Sequence, residues 1–180
     1  MIELLGKNLT ELQAVITEAK FPRFRAKQIM DYIYKRYVFD FADMQQLPGE
    51  LRAWLSENCA ISVPKIVTEK TTPDGQTKKL LLELADGNRV ETVLMKQQYG
   101  NSVCVSSQVG CAMGCVFCAS TTDGLYRNLE THEIVAQVLL FGALLKERIH
   151  SIVVMGAGEP LQNYTNTINA LRLLHEKRSV

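Results

Sequence analysis

The chain has 180 residues, enough for one ordinary domain or for a small domain joined to part of a larger one. Hydrophobic residues make up 47% and charged residues 22%, which excludes a disordered tail, and Lys+Arg 20 against Asp+Glu 19 gives bulk charge no weight in favour of a nucleic-acid partner. No apolar run approaches the ~20 residues that span a bilayer, and the first eight residues lack a signal peptide's basic flank and apolar stretch, so a cytoplasmic, thiol-reducing setting away from membranes is expected.

The first 64 residues read as a small helical domain. Leu9, Leu12, Val15, Ile16 and Ala19 share one helical face, with Asn8 or Thr10 available as N-cap. Phe21-Pro22 breaks that pattern, and the spacing predicts a second helix over 23–37 through Ile29, Tyr32, Ile33 and Tyr37. Pro48 marks the start of a third, with Leu51, Trp54 and Leu55 facing a core. From about Lys65 the runs shorten and favour strands: Val67, Leu80, Leu82, Leu84, Val90, Val93 and Leu94. Pro73-Asp74-Gly75 and Asp86-Gly87 supply turns between them, so residues 65–100 are expected to form an antiparallel meander linking the helices to the remainder of the chain.

Residues 101–180 alternate. A strand over 103–106 precedes a cysteine-rich loop, and a helix is predicted over 131–146 with Ile134, Val135, Val138, Leu139 and Leu145 inward. Then come the apolar strand 151–155, the turn Gly156-Ala-Gly-Glu-Pro160, and a helix over 164–176 using Ile168, Leu171 and Leu174. This βαβα order implies a parallel sheet with helical crossovers, and the fold class is α/β. Two parallel strands close no barrel, so the sequence is expected to be the N-terminal portion of a longer enzyme.

Four of the five cysteines lie between positions 104 and 118, a crowding that suits metal or thiol chemistry rather than a secreted disulfide framework. Cys111, Cys115 and Cys118 have the spacing C-x3-C-x2-C. Three thiolates on one loop can hold three irons of a [4Fe–4S] cubane and leave the fourth open, while Gly110 and Gly114 let the backbone turn tightly. Zinc is the alternative, with Cys104 recruited as a fourth ligand. Structural zinc favours four closed ligands in paired units, and His132, His150 and His175 are not spaced to supply them.

The run Cys104-Val-Ser-Ser-Gln-Val-Gly-Cys-Ala-Met-Gly-Cys-Val-Phe-Cys118, followed by Gly124-Leu-Tyr-Arg-Asn-Leu129, resembles the RlmN/Cfr family of radical S-adenosylmethionine (SAM) RNA methyltransferases. Val90-Glu91-Thr92-Val93 and Met155-Gly-Ala-Gly-Glu-Pro160 extend the likeness, and Gln108-Val109 with Pro160 favours the RlmN branch. The resemblance implies a (βα)6 partial barrel of which residues 101–180 are the first units. It also implies methylation of C2 (C8 in the Cfr branch) of an adenine in 23S ribosomal RNA, and of a tRNA anticodon-loop adenine. SAM, a [4Fe–4S] cluster on Cys111, Cys115 and Cys118, a reducing electron donor and a monomeric enzyme are implied with it.

Site residues come from the same likeness. Glu91 takes the place of the family's proton acceptor, though read alone it is a surface glutamate on a meander. Cys104 takes the place of the resolving cysteine, whose methyl-bearing partner forms a disulfide with it during turnover. No cysteine follows Cys118, and by itself Cys104 reads as a small buried strand residue, as does Cys59. Gly158 and Glu159 correspond to SAM-binding positions. Lys20, Arg23, Arg25, Lys27, Lys35 and Arg36 make the second helix basic, suited equally to RNA phosphates and to solvent. Arg127 and Asn128 carry no assigned role. Three rivals stay open: a Cfr-type C8 enzyme, another radical SAM RNA-modifying enzyme, and an inactive RNA-binding remnant.

Overall fold

The computed structural model describes residues 1–176; the end of the expected core segment, 177–180, lies outside them. Strand β1 (Ile2–Glu3) leads into α1 (Leu9–Glu18), whose start is set by a capping box. The Asn8 side chain accepts the Glu11 N–H at 3.0 Å and the Glu11 carboxylate accepts the Asn8 N–H at 2.7 Å, so Thr10 falls inside the helix. Helix α2 (Arg25–Tyr34) and α3 (Gly49–Asn58) complete the bundle, and α3 runs straight into β2 (Cys59–Ala60). Leu12, Ile16, Ile29, Ile33, Leu51 and Leu55 form its core at 0% exposure; each such burial is worth about 1.5–3 kcal/mol.

Two features depart from the sequence reading. Helix α2 ends at Tyr34 rather than Tyr37, which leaves the helix with a left-handed φ of 55°. And β1 pairs in parallel with β2, Ile2 opposite Cys59, burying the Cys59 side chain. Two-residue strands joined across the whole helical domain carry no periodicity from which to read them.

One five-stranded sheet and a separate two-stranded ribbon make up the strands of the rest of the chain. β3 (Lys65–Thr71), β4 (Thr77–Glu83), β5 (Arg89–Gln97) and β6 (Gly100–Cys104) form an antiparallel meander. Its turns use the expected residues: Asp74 accepts the Gln76 N–H at 3.0 Å, and Asp86 accepts the Asn88 N–H at 3.0 Å. A ribbon of β7 (Gln108–Gly110) and β8 (Leu125–Asn128) brackets the cysteine loop. Helix α4 (Thr131–Leu145), strand β9 (Ser151–Val153) and helix α5 (Tyr164–Glu176) come next. β9 adds in parallel to β6, so the order is β3-β4-β5-β6-β9 and β6 has an antiparallel neighbour on one side and a parallel one on the other.

Helix α4 is enclosed from Glu133 to Gly142 rather than along one stripe, and Leu145 is only half-buried. The bundle covers the face turned from the sheet: a Cβ on Gly142 would collide with the Tyr37 ring, whose hydroxyl donates to Glu147 O at 3.3 Å. β6 begins three residues earlier than expected because Gly100-Asn101 pair with β5, and it ends at Cys104.

Candidate active site

Strand register brings two of the sequence-selected residues together. Cys104 lies opposite Val93, and Glu91 is two residues before Val93, so Glu91 and Cys104 share one face of the β5–β6 pair. That face forms one wall of a cleft of about 610 Å³. Cys118 and Tyr126 from the cysteine loop and its ribbon line it, as do Gly156 and Ala157 beyond β9. The Glu91 carboxylate meets Lys79 Nζ at 2.8 Å, with both side chains about half exposed. An ion pair so open to water is worth under about 1 kcal/mol and is easily exchanged for another partner. Burial pushes the Cys104 thiol above its ordinary pKa, partly offset by a hydrogen bond from the Met155 backbone, so the sulfur is protonated at neutral pH.

The cysteine loop hangs from the β7–β8 ribbon. The Cys111 N–H donates to Gly124 O at 3.0 Å and closes it. Gly110 has φ +73°, and a Cβ there would strike the same Gly124 carbonyl, so both conformation and space require glycine. Gly114, also left-handed at φ +68°, faces open space. Cys111 is buried, Cys118 half-buried and Cys115 exposed; Val116 and Phe117 between them are exposed at 101% and 90%. No disulfide joins any of the five cysteines. Among the described residues no three His, Cys, Asp or Glu side chains converge on a common metal position. The donor chemistry of the loop still fits an iron–sulfur cubane: three soft thiols within eight residues, on a backbone with two left-handed glycines.

The loop after β9 packs against the strand segment leading into the cysteines. Gly158, at φ +102°, approaches Gln108 so closely that a Cβ would lie 2.5 Å from that side chain's Cβ. The Glu159 N–H donates to Gln108 Oε1 at 2.8 Å, while the Glu159 carboxylate accepts the Leu161 N–H at 2.9 Å. Gly158 and Glu159 sit beside the cleft, and Met155, Gly156 and Ala157 line it.

A buried polar set, whose linking role the sequence did not disclose, holds these pieces. Gln108 Nε2 donates to Asn128 Oδ1 at 2.8 Å, and Asn163 Nδ2 donates to both Ser107 O (2.8 Å) and Leu129 O (2.7 Å). Ser106, Gln108 and Gln137 are all 0% exposed. Arg127, to which the motifs give no role, ties β8 to two other elements: Nε to Asp86 at 2.6 Å in the β4–β5 turn, and the terminal nitrogens to Glu133 in the first turn of α4. Arg127 and Asn88 hold the Asp86 carboxyl below the usual carboxylate range. Ser106, Ser107 and Gln108 lie inside the Cys104–Cys118 run and Arg127 and Asn128 inside Gly124–Leu129, whereas Gln137 and Asn163 stand outside both.

The basic residues of the bundle are divided. Only Arg25 and Lys27 lie within α2. Arg23 donates to Gln13, Arg25 to Gln28 and Arg36 to Gln46, and Lys35 pairs with Asp31 at 3.1 Å, so four of the six have partners inside the bundle. No described helix is long and apolar enough to cross a membrane.

Comparison with known proteins agrees with this arrangement. Residues 2–61 match the family model described as the ribosomal RNA large subunit methyltransferase N-terminal domain. A protein of Clostridium perfringens named "Probable dual-specificity RNA methyltransferase RlmN" is 47% identical over 175 residues, 97% of this chain and 50% of that protein. One of Clostridium novyi with the same name is 45% identical over 177 residues, covering 98% and 52%. The crystal structure of a radical SAM methyltransferase from Sphaerobacter thermophilus superposes with a TM-score of 0.91 at 40% identity, over 97% of this chain and 52% of that one. The chain spans about half the length of the curated relatives it matches. By sequence across nearly its whole length and by fold, the chain belongs to the RlmN family.

Proposed function

We propose that this chain is the N-terminal part of a cytoplasmic, monomeric radical SAM enzyme that methylates C2 of an adenine in 23S ribosomal RNA and of a tRNA anticodon-loop adenine. Residues 1–64 are its RNA-gripping accessory domain, 65–100 the linking meander and 101–180 the first part of the catalytic core. The observation that carries the reading is the single cleft shared by Glu91, Cys104, Cys118 and the Gly156-Ala157 turn.

Adenine C2 is not nucleophilic, so ordinary displacement of a methyl group from SAM does not reach it. Cys111, Cys115 and Cys118 would hold a [4Fe–4S] cluster, which once reduced by an external donor would supply the electron for radical cleavage of SAM. The chain's own residues do the rest of what falls within it. Gly158 permits close backbone approach, and Glu159 accepts a hydrogen bond from the SAM ammonium. Glu91 gives up Lys79 and takes the proton that must leave the ring carbon. Cys104, on the same face, attacks the sulfur that links protein to base and frees the product, leaving a disulfide. Its thiol must first be deprotonated, and its raised pKa makes that step dependent on a nearby base. The methyl-carrying cysteine has no counterpart in residues 119–180, so this chain alone is expected to transfer no methyl group.

Anaerobic reconstitution tests the reading. About four iron and four sulfide per chain, with an absorption spectrum that changes on adding SAM, are expected. A colourless, zinc-loaded protein overturns it. In the full-length protein, Cys104→Ala should accumulate protein–RNA adducts; a radical SAM enzyme of another kind would not.

A further inference from the structure

The side chain of Ser106 joins the two halves of the cleft. Its Oγ–H donates to the carbonyl of Glu91 at 2.7 Å, and the same oxygen accepts the N–H of Ala157 at 2.9 Å. The polarity is forced, because a carbonyl can only accept and an amide N–H can only donate. One hydroxyl therefore satisfies the backbone of the strand carrying the proposed base and the backbone of the turn beside the proposed SAM site.

The surroundings fix that hydroxyl. Ser106 is fully buried, and a single side chain takes both of its backbone groups: its N–H donates to Gln137 Oε1 at 2.8 Å, and Gln137 Nε2 donates to its carbonyl at 3.0 Å. Gln137 stands on α4, itself enclosed at that point. On the other side, a Cβ at Gly156 would lie 2.6 Å from Ser106 Oγ, so glycine is what lets the turn come within reach. The adjoining bonds Gly156 N–H to Val105 O (3.0 Å) and Ser107 N–H to Ala157 O (2.9 Å) hold the turn along the same segment.

We propose that Ser106 is a positioning residue that locks the backbone at Glu91 to the Gly156–Gly158 turn, so that base and SAM loop keep one spacing through the reaction. The inference rests on the proposed function for the roles of Glu91 and the turn; the linkage itself does not.

Hydrogen exchange of this chain, without cluster or RNA, tests the linkage. In the unsubstituted protein the Ala157 amide should exchange within tenfold of the Val105 amide of the β6–β9 ladder, although Ala157 lies at the mouth of a cleft. In Ser106→Ala, residues 155–159 should exchange at least tenfold faster while α1–α3 keep their protection. Fast exchange of Ala157 in the unsubstituted protein overturns the proposal, as does an equal acceleration of every slow amide in the variant. In the full-length enzyme, Ser106→Ala should raise the 5′-deoxyadenosine formed per methyl transferred at least threefold. A loss of both products in step, with the ratio unchanged, overturns the positioning role. If the unsubstituted enzyme forms no 5′-deoxyadenosine, the functional reading fails and the exchange result alone judges Ser106.

Discussion

Arg127 grips Glu133 with both ends of its guanidinium, Nη1 to Oε2 and Nη2 to Oε1 at 2.8 Å each. Glu133 also accepts the N–H of Glu130, the N-cap of α4, at 2.8 Å, and is only 8% exposed. Removing the guanidinium leaves a nearly buried carboxylate without its cation. Arg127→Ala should cost about 2–3 kcal/mol in urea unfolding. Arg127→Lys should recover less than half of that, because an ammonium cannot reproduce the two parallel bonds.

The Asp86–Arg127 contact carries a pH signature. Hydrogen bonds from Arg127 and then Asn88 lower the Asp86 pKa in the folded chain. A depressed folded pKa adds stability that is fully present above the unfolded value of about 4 and is lost as pH falls through the folded one. The stability difference between the unsubstituted chain and Asp86→Asn should therefore hold steady from pH 7 to about 5 and shrink below about 4. Denaturant midpoints across that range measure it; a difference that grows on acidification contradicts the assignment.

The cysteines should label in an order set by exposure and pKa. Cys115 is exposed and should react first with iodoacetamide at pH 7.5. Cys104 should lag, its rate rising about tenfold per pH unit through the ordinary thiol range, because burial holds the thiol protonated. Cys59, buried at 1% exposure with its pKa pushed up to about 11, should be slowest. Timed peptide mapping of the apo chain gives the three rates.

Two glycines beside the cysteines should respond unequally. Gly110→Ala places a methyl against the Gly124 carbonyl that closes the loop, and should lower reconstituted iron severalfold besides destabilising the chain. Gly114→Ala meets no atom within 4 Å, so it should cost only the left-handed backbone term, about 1 kcal/mol. Equal iron in the two variants would show that closure of the ribbon is not what shapes the loop.

How much of this could be read from residues alone depended on whether the information was local. The Asn8 cap, the Asp74 and Asp86 turns and the left-handed Gly110 and Gly114 are all decided within four residues, and each appears where the sequence placed it. Tyr37 was misread because its apolar ring continues the spacing of α2 while its purpose is to reach Gly142 on a distant helix. Helix α4 looked one-sided, yet the bundle covers the face the sheet does not, so both sides are enclosed. The site divides in the same way. Cysteine spacing announced the loop, whereas the shared face of Glu91 and Cys104 needed the β5–β6 register. Ser106, Gln137 and Asn163 received no role and Gln108 served only as a branch marker, because a buried polar residue looks, in one dimension, like an exposed one.

The two unlike neighbours of β6 carry a kinetic corollary. On its β5 side the chain reverses over a two-residue turn, a closure completed in microseconds; on its β9 side the partner arrives only after a helix has been wound and carried across. The meander is thus the early template and β9 the late arrival. Pulse-labelled refolding should protect Met95 and Ser102, opposite each other in the β5–β6 register, before Val105, whose N–H donates to Val153 O.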